Sequence, residues 1–113
     1  MRAYKGFEES GIEELGPVSG EQVADLIAAA EASLSNKPYG LGLYRSKKDF
    51  VGIRPVGDSE YLVWSDRISG GGLLARFFSS GHIEKVVRSR AEAVEAALYY
   101  MDSSREAFER KYS

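Results

Sequence analysis

Cysteine is absent from this chain, which excludes disulfides, thiolate metal sites and cysteine nucleophiles together. The absence fits a reducing cytoplasm, where disulfides do not persist. Histidine occurs once, as His82, and proline three times. No apolar run approaches the roughly 18 residues that read as a membrane span, and the opening MRAYKGFEESG lacks the apolar centre of an export signal. The expectation is a cytoplasmic, soluble protein with no membrane association. Its 113 residues make one domain, 1–113, long enough for a core without metal or disulfide staples. No cofactor is expected.

Charge is nearly balanced overall, at −2, but unevenly placed. Residues 1–35 hold seven acids and two bases, residues 36–90 ten bases and five acids, and residues 91–113 five acids and three bases. A basic middle flanked by acidic ends can steer an oppositely charged partner without identifying it; ordinary solvated charge is the competing explanation.

The middle of the chain is the most regular part. Tyr39–Tyr44, Phe50–Val56, Tyr61–Trp64, Leu73–Phe78 and Ile83–Val87 read as strands, joined by connections too short for crossover helices. Gly57-Asp58-Ser59, Ser69-Gly70-Gly71-Gly72 and Ser79-Ser80-Gly81 supply the turns. Leu41 and Leu43 alternate with Gly40, Gly42 and Tyr44, giving one apolar face and one flat or aromatic face. Pro55 suggests an edge strand or a strand end. Tyr61 and Val63 oppose Leu62 and Trp64, and Leu73, Ala75 and Phe77 oppose Leu74 and Phe78. Strands apolar on both sides belong at the centre of a sheet covered on both faces. Helices packing on only one face would leave the other for a partner or a second copy of the chain.

Two helices frame these strands. Ser19 with Gln22 forms a capping box, followed by an apolar stripe of Val23, Leu26, Ile27, Ala30 and Leu34, and Asn36-Lys37-Pro38 ends the helix. Ser89 with Glu92 begins the second, whose expected stripe is Val94, Ala97, Leu98 and Met101. Asp102-Ser103-Ser104 interrupts it, and a box of Ser103 with Glu106 predicts a kink or a fresh helix anchored by Phe108 and Tyr112. Residues 1–18 are less regular: Arg2–Phe7 reads as an edge strand and Glu8–Gly16 as acidic loop or one helical turn. The expected fold is α+β, a four- to five-stranded antiparallel sheet with an N-terminal helix and a kinked C-terminal helix.

The chemistry-bearing residues form no catalytic constellation. His82 follows Gly81 at a turn, beside Ile83 and Glu84; a general base would need an orienting carboxylate and a nucleophile converging on it, and a hairpin displays Ser79 and Ser80 to solvent. A lone imidazole makes no metal site. Gly70–Gly72 precede an apolar strand pattern, whereas a phosphate loop needs a helix with lysine and a hydroxyl there. Acids at Glu8/Glu9, Glu13/Glu14 and Asp58 with Glu60 are adjacent rather than converging across a cleft. Basic residues including Arg45, Lys47, Lys48, Arg54, Lys85 and Arg90 interleave with Tyr39, Tyr44, Phe50, Tyr61 and Trp64. This composition suits base stacking, but the ribonucleoprotein Lys/Arg-Gly-aromatic pattern has no match.

The capped helix from Ser19-Gly20-Glu21-Gln22-Val23 to Leu34 leads into glycine-punctuated strands. Tyr61-Leu62-Val63-Trp64, Leu73–Phe78 and Ser89-Arg90-Ala91-Glu92-Ala93-Val94 follow. This layout, from Ser19 to Tyr112, resembles small immunity proteins of bacterial polymorphic and contact-dependent toxin systems. No signature motif carries it, and the Trp-containing C-terminal ending of one such family is missing. The resemblance implies a cytoplasmic, non-enzymatic inhibitor that binds one cognate toxin domain, possibly a nuclease. Acids that mimic nucleic-acid phosphates would speed association with a basic nuclease. The candidate partner-binding residues are Glu8, Glu9, Glu13 and Glu14 with the aromatics Tyr44 and Trp64. The alternative is a nucleic-acid-binding or regulatory module using the basic segment 36–90.

Overall fold

The chain opens on a β-hairpin, not on a helix. In the computed structural model, residues 1–7, 11–35, 37–46, 49–57, 59–67 and 83–112 are described, without the side chains of 66 and 67. The expected strand Leu73–Phe78, the turns at Gly70–Gly72 and Ser79–Gly81, and His82 lie outside the described residues, as do Glu8, Glu9, Lys47 and Lys48. The elements are β1 (Arg2–Phe7), β2 (Gly11–Pro17), α1 (Gly20–Ala32), β3 (Gly40–Ser46), β4 (Asp49–Gly57) and β5 (Glu60–Arg67). After these come β6 (Ile83–Val87), α2 (Arg90–Asp102) and α3 (Arg105–Tyr112).

The class is α+β, and the described strands form one six-stranded sheet in the order β2-β1-β3-β4-β5-β6. Every neighbouring pair is antiparallel. Six strands rather than four or five is a correction with a local cause. Gly11–Pro17, expected as acidic loop or helical turn, is the edge strand β2, and β1, expected at the edge, is interior between β2 and β3. Acidic residues weaken the sequence signal for a strand, but pairing with β1 supplies it. The register shift between Ala3 and Tyr4 and the positive φ of Gly16 (+84°) place a bulge there, and bulge, acids and Pro17 are the usual protections of an edge. Pro55 is likewise not on an edge strand: β4 is central, and Pro55 lies beyond Ile53, the last residue of β4 that pairs with β3. A missing N–H is harmless there.

Ala3, Leu41, Leu43, Val51, Ile53, Tyr61, Val63, Ile83 and Val87 alternate onto one side of the sheet and are buried. All three described helices pack on that side. From α1, Val23, Ile27 and Ala30 enter the core as expected, whereas Leu34 lies in the 3₁₀ turn Ser33–Ser35 and is exposed. From α2 the buried residues are Ala93, Ala96, Ala97 and Tyr100, a stripe rotated from the expected one; Val94, Leu98 and Met101 are only partly buried. Three of these four are alanines, so small residues rather than large ones mark its inner face. Phe108 and Tyr112 anchor α3, with Phe108 edge-on to Tyr100 at 5.2 Å.

Caps close the helix ends. The Ser19 N–H donates to the Gln22 side chain (2.9 Å), and Ser89 Oγ accepts from the Glu92 N–H (3.1 Å). Between α2 and α3 the cap is Ser104, which accepts from the Ala107 N–H at 3.2 Å, rather than Ser103, whose backbone is extended. No helix among the described residues is long and apolar enough to cross a membrane.

Two polar clusters tie helices to sheet. Asp49 Oδ1 accepts from the Tyr100 hydroxyl (2.8 Å) and from Arg105 (3.2 Å). Arg105, with a side chain 5% exposed, also donates to Ser65 Oγ (2.6 Å) and Glu109 (2.9 Å). Arg45 donates to the carbonyls of Tyr100 and Ser103 and so caps the end of α2. At the second cluster Tyr61 donates to Glu31 (2.6 Å), which also accepts from Arg90 (2.9 Å), joining β5, α1 and α2. Among the described residues, no buried side-chain polar atom lacks a hydrogen-bond partner.

Candidate protein-binding face

The other side of the sheet carries the alternate residues of every strand, and among the described residues no helix packs on it. Cross-strand register sorts it into rows. One row runs Glu14, Tyr4, Gly42, Gly52, Trp64, Glu84 from β2 to β6. The adjacent row is Ile12, Gly6, Gly40, Arg54, Leu62, Val86, with the Arg54 Cβ 3.4 Å from where a Cβ on Gly40 would lie. On the opposite flank Arg2, Tyr44 and Phe50 are register partners.

Glycine at the centre of the first row is required by its neighbours. A Cβ on Gly42 would lie 2.1 Å from Tyr4 Cζ, and one on Gly52 3.2 Å from Trp64 Cε3. The two rings therefore lean inward from β1 and β5 onto bare backbone, as aromatic side chains do when they fill the space above a strand glycine. Lateral ring contacts support them: Tyr4 to Tyr44 at 5.9 Å and Phe50 to Trp64 at 5.0 Å. This in-plane packing explains why strands apolar on both sides need no second helical layer. Val63 is fully buried and Leu62 half-buried, but Trp64 is 38% exposed. Among the described residues the helices pack on one side of the central strands only, the arrangement in which the other side is expected to be left for a partner or a second copy of the chain. The expected facing of Tyr61 and Val63 against Leu62 and Trp64 is the one observed.

Between the rings lies an open trough of about 390 Å³, bordered by Tyr4, Phe7, Trp64, Arg54 and Glu84 over the glycine floor. A second hollow of about 350 Å³ lies on the far side of Tyr4, among Ile12, Glu14, Tyr44 and Phe50.

Of the sequence-predicted site residues, the fold brings Glu14, Tyr44 and Trp64 to this face. The Tyr44 hydroxyl donates to Glu14 Oε2 (2.8 Å), while Arg2 Nε donates to Glu14 Oε1 (3.2 Å) and to the Tyr44 oxygen (3.1 Å). Tyr44 first, then the Gly16 N–H and Arg2, hold the Glu14 carboxyl below the usual carboxylate range. Glu13 points to the other side of β2, where Lys5 lies 3.8 Å away. Glu8 and Glu9 lie outside the described residues. No known protein family, curated protein or solved structure matches this chain. The case for function therefore rests on the face itself.

Sequence reasoning missed Tyr4 and Gly52, and it named Phe50 only as a stacking aromatic and Gly42 only as part of a flat strand face. The alternation of glycines with Leu41 and Leu43 was the available signal, but it named neither the ring that fills each gap nor the strand that supplies it. Chemically, the face offers aromatic surface, an accessible apolar trough and fixed charges. A carboxylate whose pKa is lowered, as Glu14's is, makes a poor general base.

Proposed function

We propose that this protein is a non-enzymatic binding protein that neutralises a toxin domain made by the same bacterium. The open sheet face meets the toxin. The observation that carries this reading is the run of Tyr4, Tyr44, Phe50 and Trp64 across a face that the described helices leave bare. Aromatic anchors around an apolar hollow, with charges outside it, are the usual composition of a protein-binding hot spot. That the partner is a toxin comes from the resemblance in layout to immunity proteins. Glu14 and Tyr44 act as one unit at the edge of this surface. The expected acidic mimicry is muted, because Glu14 and Glu13 already face Arg2 and Lys5.

The nucleic-acid alternative draws less support. Of the basic residues that suggested it, Arg54 borders the trough. Arg45 is spent on the carbonyls of α2, Arg90 on Glu31, and Lys85 lies 5.9 Å above the Tyr112 ring on the helix side.

The test is co-expression with the C-terminal domain of a large secreted protein from the neighbouring gene. The chain should restore growth, and Trp64→Asp or Tyr44→Asp should abolish the rescue without unfolding the protein. Rescue indifferent to both variants would remove the interface from this face. A neighbouring product with no toxicity would remove the toxin.

A further inference from the structure

One of the two rows that cross the open face is nearly palindromic. The first reads Glu, Tyr, Gly, Gly, Trp, Glu, and its midpoint falls between β3 and β4, which is also the midpoint of the sheet. A two-fold axis through that point, parallel to the strands, would set β1 of one copy over β5 of another and β2 over β6. Aligned face-to-face packing of sheets keeps strand directions within about 30°, so this pairing of strands survives the twist of each sheet.

Under that operation the first row sets like on like, and the second sets two of its large side chains on glycine. Tyr4 lies over Trp64 of the other copy, and Gly42 over Gly52. In the second row Leu62 faces Gly6, Arg54 faces Gly40 and Ile12 faces Val86. The residues with the most exposed apolar surface at the two ends, Ile12 (68% exposed) and Val86 (50% exposed), thus cover each other. One contact opposes the arrangement: Glu14 comes over Glu84. Glu14 already accepts hydrogen bonds from Arg2 and Tyr44, which offsets part of that repulsion.

The size of the face also suits a pair of copies. Six strands about 4.8 Å apart, each of about seven residues rising about 3.3 Å, make a face of roughly 550 Å². Full overlap removes about 1,100 Å² from water in projection, just above the roughly 1,000 Å² expected of a specific interface. That places the contact at the weak end of stable association.

From the fit of the second row, the mutual cover of Ile12 and Val86 and the area together, we infer that a second copy of this chain covers the open face when no other partner is bound. The homodimer is two-fold symmetric, pairs Ile12 with Val86 across the axis, and hides Trp64. Displacement of the copy by a toxin domain rests on the function proposed above. The dimer itself does not.

Sedimentation equilibrium of the full chain across the micromolar range tests it. The wild type dimerises. Ile12→Lys and Val86→Glu are each monomeric, because each sets a charge against an apolar residue. The double variant dimerises again, because the two changes meet across the axis as opposite charges. Both positions are exposed, so the fold tolerates the changes, and circular dichroism confirms that it does. A monomer throughout that range overturns the inference, as does a dimer unaffected by either single change. Failure of the double variant to restore association overturns the symmetry. A monomer that still binds a toxin domain refutes the dimer alone, and a dimer without any toxin partner refutes only the function.

Discussion

Gly42→Ala is a one-methyl change with a large expected consequence. The added Cβ falls 2.1, 2.4 and 2.5 Å from three ring atoms of Tyr4, inside any tolerable contact, so the ring must leave. Forcing a side chain out of a packed position costs about 1–3 kcal/mol, and because Tyr4 is only half-buried the lower half of that range applies. Alanine also has a favourable effect. Gly42 does not have a positive φ, so restricting the unfolded chain stabilises by about 0.4–1 kcal/mol. The net expectation is a loss of about 1 kcal/mol, lowering the urea midpoint by about 0.5–1 M. Trp64 is the sole tryptophan, so its emission reports both unfolding and any change on this face. In a Tyr4→Ala background the clash disappears, and Gly42→Ala should become neutral or stabilising. A double-mutant cycle should therefore return a coupling of about 1–2 kcal/mol; effects additive within about 0.5 kcal/mol would refute the packing of Tyr4 on Gly42.

Asp49→Ala should destabilise by about 3 kcal/mol, the low end for breaking a buried pair, because Arg105 retains Glu109 and Ser65; thermal unfolding measures it, and a change under about 1 kcal/mol would count against the cluster as a structural tie. Burial first, and then Asp49, push the Tyr100 phenol well above its ordinary value. The folded state thus keeps that proton after the unfolded chain has lost it, and stability falls as pH rises above about 10. Tyr100→Phe should flatten this alkaline slope, as read from urea midpoints at pH 9 and 11, on either side of the unfolded phenol's value of about 10. Because Tyr44 is the first cause of the lowered Glu14 pKa, Tyr44→Phe should move the Glu14 titration upward in carbon-detected NMR. An unchanged midpoint would mean that Arg2 and the Gly16 N–H suffice.

What the sequence alone determines is local. The capped starts at Ser19 and Ser89 depend on residues three apart. The break near Ser104 depends on a serine pair interrupting good helix formers. The alternation in β3, β4 and β5, including the facing of Tyr61 and Val63 against Leu62 and Trp64, follows from the two-residue period of a strand. All these signals are short in sequence, and the fold obeys them. They also sufficed for the α+β class.

Long-range pairing decided the rest. Gly11–Pro17 is a strand only because β1 lies beside it, and β1 is interior only because β3 takes its other edge. The inner stripe of α2 is Ala93, Ala96 and Ala97 with Tyr100, set by packing against α1 and the sheet rather than by side-chain size. Glu13 and Glu14 are sequence neighbours that the strand sends to opposite sides, one to Lys5 and one to Tyr44 and Arg2. The candidate face is the clearest case. Composition held its aromatics and glycines, but residues 4, 42, 52 and 64 become one surface only when four strands set them in register. Side-chain direction along a strand is a property of the local backbone, which the sequence states; which ring fills which gap depends on contacts between distant segments, which only the folded sheet brings together.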